Sequence, residues 1–442
     1  MHIHLLQALS PHRLRSSKDT NGGYGTVNDF GDGLAARILK AVKRQTMNFP
    51  ELLPAYVHAI VETRGHTFTY GVNRLDPRAD LVLLQTSITN FQSELAWADR
   101  ARKELPGVRV GFIGGMSSGN PAAYAGAGDF VVVGEAERAL LEPGLAELSG
   151  VVNAGLVEDL DDLPFPDWSH LEDRDRSYGY LRARGGRLAP MLASRGCPMS
   201  CAFYCTYPLV QGRKFRVRST ENLIGEIEYL QRDFGVDTIL FRDPIFSLRM
   251  DRIEDLCRAI LARGLKFTWI CETHPKFLTD DLILLMRRAG CRTIKLGIES
   301  GDLEIMKQSR RALPELEQQE HVVRMCEEHG IDVLAFYILG FQDDDPQSVS
   351  RTIDYAIHLN TFGAQFTIAT PYPGTPWYDA LRSADQPIRF DENLEHYNQY
   401  RLVYNHPRLT ADELHGLKSD AYRRYYFRPG YVFKLIRRHL KK

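Results

Sequence analysis

From about residue 190 onward the chain alternates short apolar runs with amphipathic stretches, roughly one pair every 25 to 35 residues, the length of a βαβ unit. Parallel strands cannot be joined by tight turns, so this rhythm restricts the fold to a parallel sheet covered by crossover helices. The strand-like runs are Pro190–Ser194, Asp237–Phe241, Lys266–Cys271, Thr293–Gly297, Val333–Leu339 and Gln365–Ala369. Between them Glu221–Phe234, Arg252–Arg263, Asp280–Ala289, Glu315–Glu328 and Gln347–Leu359 carry helical periodicity. Six units are too few to close an eight-stranded barrel. An open, partial (βα)6 barrel of TIM type is therefore expected over residues 189–385, with its chemistry at the carboxyl ends of the strands.

The first 150 residues read as a separate Rossmann-like α/β domain. His2–Leu6, Leu81–Leu84, Arg109–Ile113 and Phe130–Val133 look like buried parallel strands, and Leu52–Glu62 and Phe91–Glu104 like helices. Residues 151–188 suit a linker, acidic and proline-broken over 156–168. Residues 386–442, rich in Tyr, Arg and Glu, are expected to pack on the barrel as helices. A length of 442 residues suits two or three domains. A formal net charge of −1 gives no pull towards nucleic acid. No apolar run approaches the roughly 18 residues that span a membrane. The basic tail Lys434–Lys442 reads as a solvated helix rather than a membrane contact. Seven cysteines without a signal peptide suit free thiols in a reducing cytoplasm.

Three of those cysteines, Cys197, Cys201 and Cys205, crowd into one loop directly after the first barrel strand. Three thiolates can hold an iron–sulfur cube and leave one iron open to a small molecule. A zinc site completed by a distant histidine, or buried structural thiols, are the alternatives. Zinc modules usually bring close pairs of cysteines separated by a spacer, and no second pair follows here.

Ser194-Arg-Gly-Cys-Pro-Met-Ser-Cys-Ala-Phe-Tyr-Cys205 resembles the cluster loop of radical S-adenosylmethionine (SAM) enzymes. More narrowly, the chain is similar to the branch with a cobalamin-binding-type N-terminal domain. Gly114-Gly-Met-Ser-Ser118, Asp129–Glu137 and Asp161–Asp167 resemble the end of that domain and its linker. Gly297-Ile-Glu-Ser300, Ile338–Phe341 and Thr370–Pro376 resemble later barrel strands. Two features depart from the pattern. The second spacer between cysteines has three residues where two are usual. The Asp-x-His-x-x-Gly signature of cobalamin binding is missing: residues 8–33 hold His12 without that spacing, and Met116 stands where a histidine often follows Gly114-Gly115. The N-terminal domain is thus degenerate and cobalamin doubtful. In both respects the chain resembles the radical SAM diol dehydratases of aminoglycoside antibiotic biosynthesis, which deoxygenate paromamine.

The resemblance implies a 4Fe–4S cluster on Cys197, Cys201 and Cys205, and SAM held by Tyr204, Glu299, Ser300, Gly340 and Pro371. Tyr204 would meet the adenine through its backbone, and Glu299 the ribose hydroxyls; the alternative for Glu299 is a salt bridge to Lys295 or Lys307. Asp243 and Glu272 follow strands and should point into the barrel mouth, where carboxylates suit an ammonium-bearing aminosugar. Glu272, then Asp243, are the candidate acid–base residues. For Asp243 the alternative is a helix cap, and for His274, the third candidate, a loop histidine with no chemical role. The implied reaction turns SAM into a 5′-deoxyadenosyl radical and dehydrates a vicinal diol, removing a 3′-hydroxyl to leave a 4′-oxo product. A flavodoxin- or ferredoxin-type electron donor and a downstream NADPH-dependent reductase are implied partners. The rival readings are a cobalamin-dependent radical SAM methyltransferase and a non-catalytic iron–sulfur scaffold or electron carrier.

Overall fold

A computed structural model describes residues 1–10, 17–27, 37, 50–171, 186–312, 314–383 and 388–440. His12, residues 172–185 of the expected linker and the last two tail lysines lie outside the described residues, as do the side chains of 436–440. The chain forms two compact units.

The first unit takes in Met1–Asn28, Asn48–Val236 and Pro371–Asn398. Its centre is a parallel sheet of β1 (His2–Gln7), β2 (Thr67–Val72), β3 (Leu81–Thr86), β4 (Arg109–Gly114), β5 (Phe130–Gly134) and β6 (Gly150–Gly155). The order is β2-β1-β3-β4-β5-β6. Every residue of β3 is buried, as a continuous apolar run covered on both faces requires. Helices Leu52–Thr63 and Phe91–Glu104 serve as crossovers. The sequence reading omits β2 and β6 for a physical reason. Both are edge strands whose residues are mostly half-buried or exposed, so neither shows a continuous apolar run. Because the chain leaves β1 to one side and returns to β3 on the other, the β1/β3 boundary is the switch point where such sheets place ligands. The unit continues through β7 (Leu188–Met191), β8 (Ser194–Arg195), β9 (Arg216–Val217) and the helix Thr220–Phe234. Ser219 caps that helix by accepting the Asn222 N–H at 3.1 Å, and Gly235 ends it in a left-handed turn.

The second unit holds β10 (Thr238–Phe241), β11 (Thr268–Thr273), β12 (Cys291–Glu299), β13 (Asp332–Leu339) and β14 (Gly363–Ile368). Each is parallel to its predecessor. Strands paired in sequence order, with a helix after each, are the barrel arrangement rather than the doubly wound one. Helices Met250–Ala262, Asp280–Arg288, Leu316–Glu328 and Pro346–Leu359 match the expected stretches within two residues. The C-terminal helix Ala411–Tyr426 seals the open edge of the sheet with tyrosines. The Tyr422 hydroxyl donates to the Phe366 carbonyl at 2.9 Å and accepts the Phe366 N–H at 3.1 Å. The Tyr426 hydroxyl treats Ala364 the same way, at 2.6 and 2.9 Å. The free backbone groups of β14 are thereby satisfied without another strand.

Candidate active site

In the first unit, β8 pairs antiparallel with β9, Ser194 opposite Val217 and Arg195 opposite Arg216. Residues 196–215 therefore form a loop closed at its base. Gly196 turns the chain at φ 87°, and a side chain there would collide with the Lys214 carbonyl. The Cys197 N–H donates across the loop to the Gly212 carbonyl at 3.1 Å. Next comes a 3-10 turn, Ser200–Phe203, and the N–H groups of Tyr204 and Cys205 both donate to the Cys201 carbonyl, at 3.1 and 3.0 Å. One helical turn thus absorbs the additional spacer residue. Cys201 and Cys205 stand at i and i+4, positions that share a face. Cys197 and Cys201 are buried and Cys205 half-buried, and all seven cysteines are thiols rather than disulfides. Pro371 is buried in the same unit, next to Tyr372 and Pro373.

Two carboxylates clamp the base of this loop. Arg216 forks onto Glu135 with both contacts at 2.8 Å. Arg195 reaches Glu137 at 2.7 Å and Glu135 at 3.3 Å, and all four side chains are buried. Burial pushes the Glu135 carboxyl up, but Arg195 and Arg216 together hold it below the usual range. This gives the Asp129–Glu137 segment a physical role that the sequence left unassigned. Glu135→Gln should cost about 3–5 kcal/mol, since it leaves two buried guanidinium groups short of one charge. A carboxylate with a lowered folded pKa stabilises above its unfolded value and loses that contribution as pH falls through the folded one. Thermal melts across an acid series should therefore show wild type losing its advantage below about pH 4.5, with the Gln variant flat.

The second unit gathers the remaining predicted residues at strand ends. Glu299 closes β12 with a positive φ of 66°, beside a register shift between Gly297 and Glu299. A non-glycine residue held there is strained, and such strain clusters at functional positions. Its partner is neither Lys295 nor Lys307 but Arg311, at 3.1 Å, which also donates to the Gly297 carbonyl at 2.9 Å. Burial raises the Glu299 carboxyl, Arg311 opposing it. The Ser300 hydroxyl shares a hydrogen bond with Thr352 at 2.7 Å and accepts the Asp302 N–H at 3.0 Å. The N–H groups of Gly340 and Phe341 both donate to Asp344 at 2.9 Å.

The acid–base candidates differ in burial. Glu272 is half-buried on the less covered face of β11, with Thr268 and Ile270. Asp243 is fully buried and its charge acts on Cys271, which alternates to the opposite face. His274 is buried, and its Nδ1 caps a short turn by accepting the Lys276 N–H at 3.1 Å. Burial, then Arg311, holds the His274 imidazole down to about 3, so it stays neutral at ordinary pH.

The model of the radical SAM superfamily matches residues 191–356. This chain carries a radical SAM domain. An uncharacterized methyltransferase of Pyrococcus horikoshii is 30% identical over 285 residues, covering 64% of this chain and 60% of its own length. The bacteriochlorophyllide d C-12(1)-methyltransferase of Chlorobaculum tepidum is 25% identical over 342 residues, 76% of this chain and 72% of that one. The chain thus spans only part of the length of these curated relatives. A solved radical SAM methyltransferase, TsrM from Kitasatospora setae with cobalamin and a 4Fe–4S cluster bound, has the same fold. Its TM-score is 0.65 over 94% of this chain and 90% of that one, at 17% identity.

The radical SAM domain implies a 4Fe–4S cluster and SAM, and the loop fits the cluster. Cys197, Cys201 and Cys205 put three free thiols on one loop closed at its base, and thiolates are the ligands such a cluster takes.

The residues at the switch point are engaged with one another, and cobalamin stays doubtful. Lys18 is fully buried over the carboxyl end of β3, donating to Glu94 at 2.7 Å and to the Gln85 carbonyl at 2.5 Å. Glu94 also accepts the Ser87 N–H at 2.8 Å, the Ser87 hydroxyl at 2.9 Å and the Tyr124 hydroxyl at 2.7 Å. The turn Asn21–Gly23 rests on Gly115, where any side chain would strike the Gly23 backbone. Tyr24 is buried beside it, donating to the Pro373 carbonyl at 2.6 Å and meeting the Tyr372 ring edge-on at 5.3 Å. Among the described residues, Lys18 and Tyr24 are thus buried at this end of the sheet. The same segment supports the cysteine loop, since the Thr206 hydroxyl donates to the Asn21 carbonyl at 2.7 Å. Sequence reasoning missed Lys18, Glu94, Arg195, Arg216 and Arg311. The only signals were charged residues inside otherwise apolar or motif-bearing segments.

Proposed function

We propose that this protein is a radical SAM enzyme that makes a 5′-deoxyadenosyl radical and uses it to dehydrate a vicinal diol of a paromamine-like aminosugar. The product is a 3′-deoxy, 4′-oxo sugar of antibiotic biosynthesis. The three-and-three cysteine spacing supports this reading, and the buried Lys18–Glu94 pair at the end of β3 is in keeping with a first unit that lacks the cobalamin signature. Cys197, Cys201 and Cys205 would hold the cluster, which when bound supplies a low-potential electron to SAM. Tyr204, Glu299, Ser300, Gly340 and Pro371 orient SAM, with Glu299 accepting from the ribose hydroxyls. The chemistry SAM would supply there is removal of a hydrogen atom from the 4′-carbon. Glu272 then removes the 4′-hydroxyl proton, the 3′-hydroxyl leaves as water, and one electron and one proton complete the ketone.

A flavodoxin- or ferredoxin-type donor supplies both electrons, an NADPH-dependent reductase consumes the ketone, and the setting is cytoplasmic. Among the described residues no helix is long and apolar enough to cross a membrane. The names of the curated relatives favour a second reading, methyl transfer.

Reconstituted protein, SAM, dithionite and aminosugars deuterated at the 4′-carbon decide the matter. The expected result is deuterium in 5′-deoxyadenosine and a product lighter by one water, without added cobalamin. A methylated product that requires cobalamin would establish the second reading instead. Absence of 5′-deoxyadenosine would leave the scaffold or electron carrier.

A further inference from the structure

On the less covered face of the second unit's sheet, three charged residues stand in one row across three strands. Glu272 of β11 pairs in register with Lys295 of β12. Extending the register from Leu240 and Ile270 brings Arg242 level with them. Lys295 is buried, with 7% of its surface exposed. A buried ammonium ordinarily needs a hydrogen-bonded counterion. Yet among the described residues Lys295 makes no ion pair within 4.0 Å, even with its register neighbour Glu272. Glu299, four residues along the same strand, is taken by Arg311. An amine and a carboxylate that face the same space without closing on each other leave room for a polar group between them.

The geometry points to Lys295 as the proton donor to the departing hydroxyl, working opposite Glu272 as the base on its neighbour. This assignment rests on the diol-dehydration reading above. In the step, Glu272 takes the proton of the hydroxyl on the radical carbon, and that oxygen becomes the carbonyl. The adjacent carbon–oxygen bond breaks, with Lys295 delivering a proton so that water leaves. The unpaired electron moves to the carbon that lost oxygen, and an electron from the one-electron donor plus a solvent proton quench it. Burial, then the neighbouring Arg242, holds the Lys295 amine down to about 8, an ammonium at neutral pH that still gives up a proton readily.

The test uses the reconstituted full chain with SAM, dithionite and the 4′-deuterated sugar, comparing wild type with Lys295→Met and Lys295→Arg. Methionine suits a buried position and should preserve iron content and melting temperature. Lys295→Met should still transfer deuterium to 5′-deoxyadenosine, while dehydrated product per 5′-deoxyadenosine falls by roughly 10²- to 10⁴-fold. Arginine keeps the charge but holds its proton too tightly, so Lys295→Arg should stay impaired. In wild type the same ratio should decline as pH rises through about 8, and Lys295→Arg should lack that limb. An unchanged ratio in Lys295→Met, or full rescue by arginine, overturns the assignment while leaving diol dehydration standing. If wild type itself forms no dehydrated product across a panel of aminosugars, both fall together.

Discussion

Cys201→Ala protein, purified without oxygen and supplied with iron and sulfide, is expected to retain little of the wild-type iron and to release no 5′-deoxyadenosine above background. The loss should be at least about 10³-fold, because no other group on the loop replaces the missing thiolate. Cys201 is the most telling of the three. Its carbonyl holds the turn by accepting the N–H groups of Tyr204 and Cys205, and alanine keeps that carbonyl while removing only sulfur. The fold should therefore survive, with melting close to wild type, so that the result reads chemistry rather than collapse. Cys197→Ala and Cys205→Ala should behave alike. The four cysteines of the second unit offer the control. Cys257, Cys271 and Cys326 are buried thiols whose surroundings push them above the usual range, which suppresses the thiolate a metal requires. Cys326→Ala should keep full iron. Wild-type iron and a reduced-cube paramagnetic signal in Cys201→Ala, or stoichiometric zinc in the wild type, would end the cluster assignment.

The sequence showed the barrel clearly because burial writes itself into local pattern. Helices such as Asp280–Arg288 and Pro346–Leu359 present one apolar stripe, and in the structure Thr279 and Asp345 cap them by accepting first-turn N–H groups. Edge strands β2 and β6 carry half-exposed residues, so the pattern that revealed β3 is missing from them. The cysteine loop was legible because its chemistry lies within nine residues. Partnerships between distant residues were not. Nothing local distinguishes Arg311 as the partner of Glu299, or Arg195 and Arg216 as partners of Glu135, because pairing over such separations is fixed by the fold. The turn that the His274 ring nitrogen caps, and the burial that keeps the ring neutral, were likewise set by the fold.

Lys18→Met is expected to destabilise the first unit by about 3–5 kcal/mol, since it strands the Glu94 carboxylate in a site with no exposure. For a unit of this size that lowers its melting by roughly 6–20 °C. Glu94 would keep its bonds from Ser87 and Tyr124, but these are neutral donors and do not balance the charge. Adding Glu94→Gln should recover a large part of the loss, because removing both charges is far cheaper than removing one. A pair that merely decorated the surface would show neither the loss nor the recovery. The same variant probes why the degenerate N-terminal sheet is there at all. Lys18 leads into the turn whose Asn21 carbonyl takes the Thr206 hydroxyl, one residue after the third cysteine. Loosening Lys18 should then reduce iron retention as well as melting, and hydroxocobalamin should restore neither. A corrin absorption band at one equivalent in wild type would show instead that the switch point opens to a ligand. In that event the segment from Lys18 to Tyr24 would be a displaceable cover, and methyl transfer would regain its physical footing.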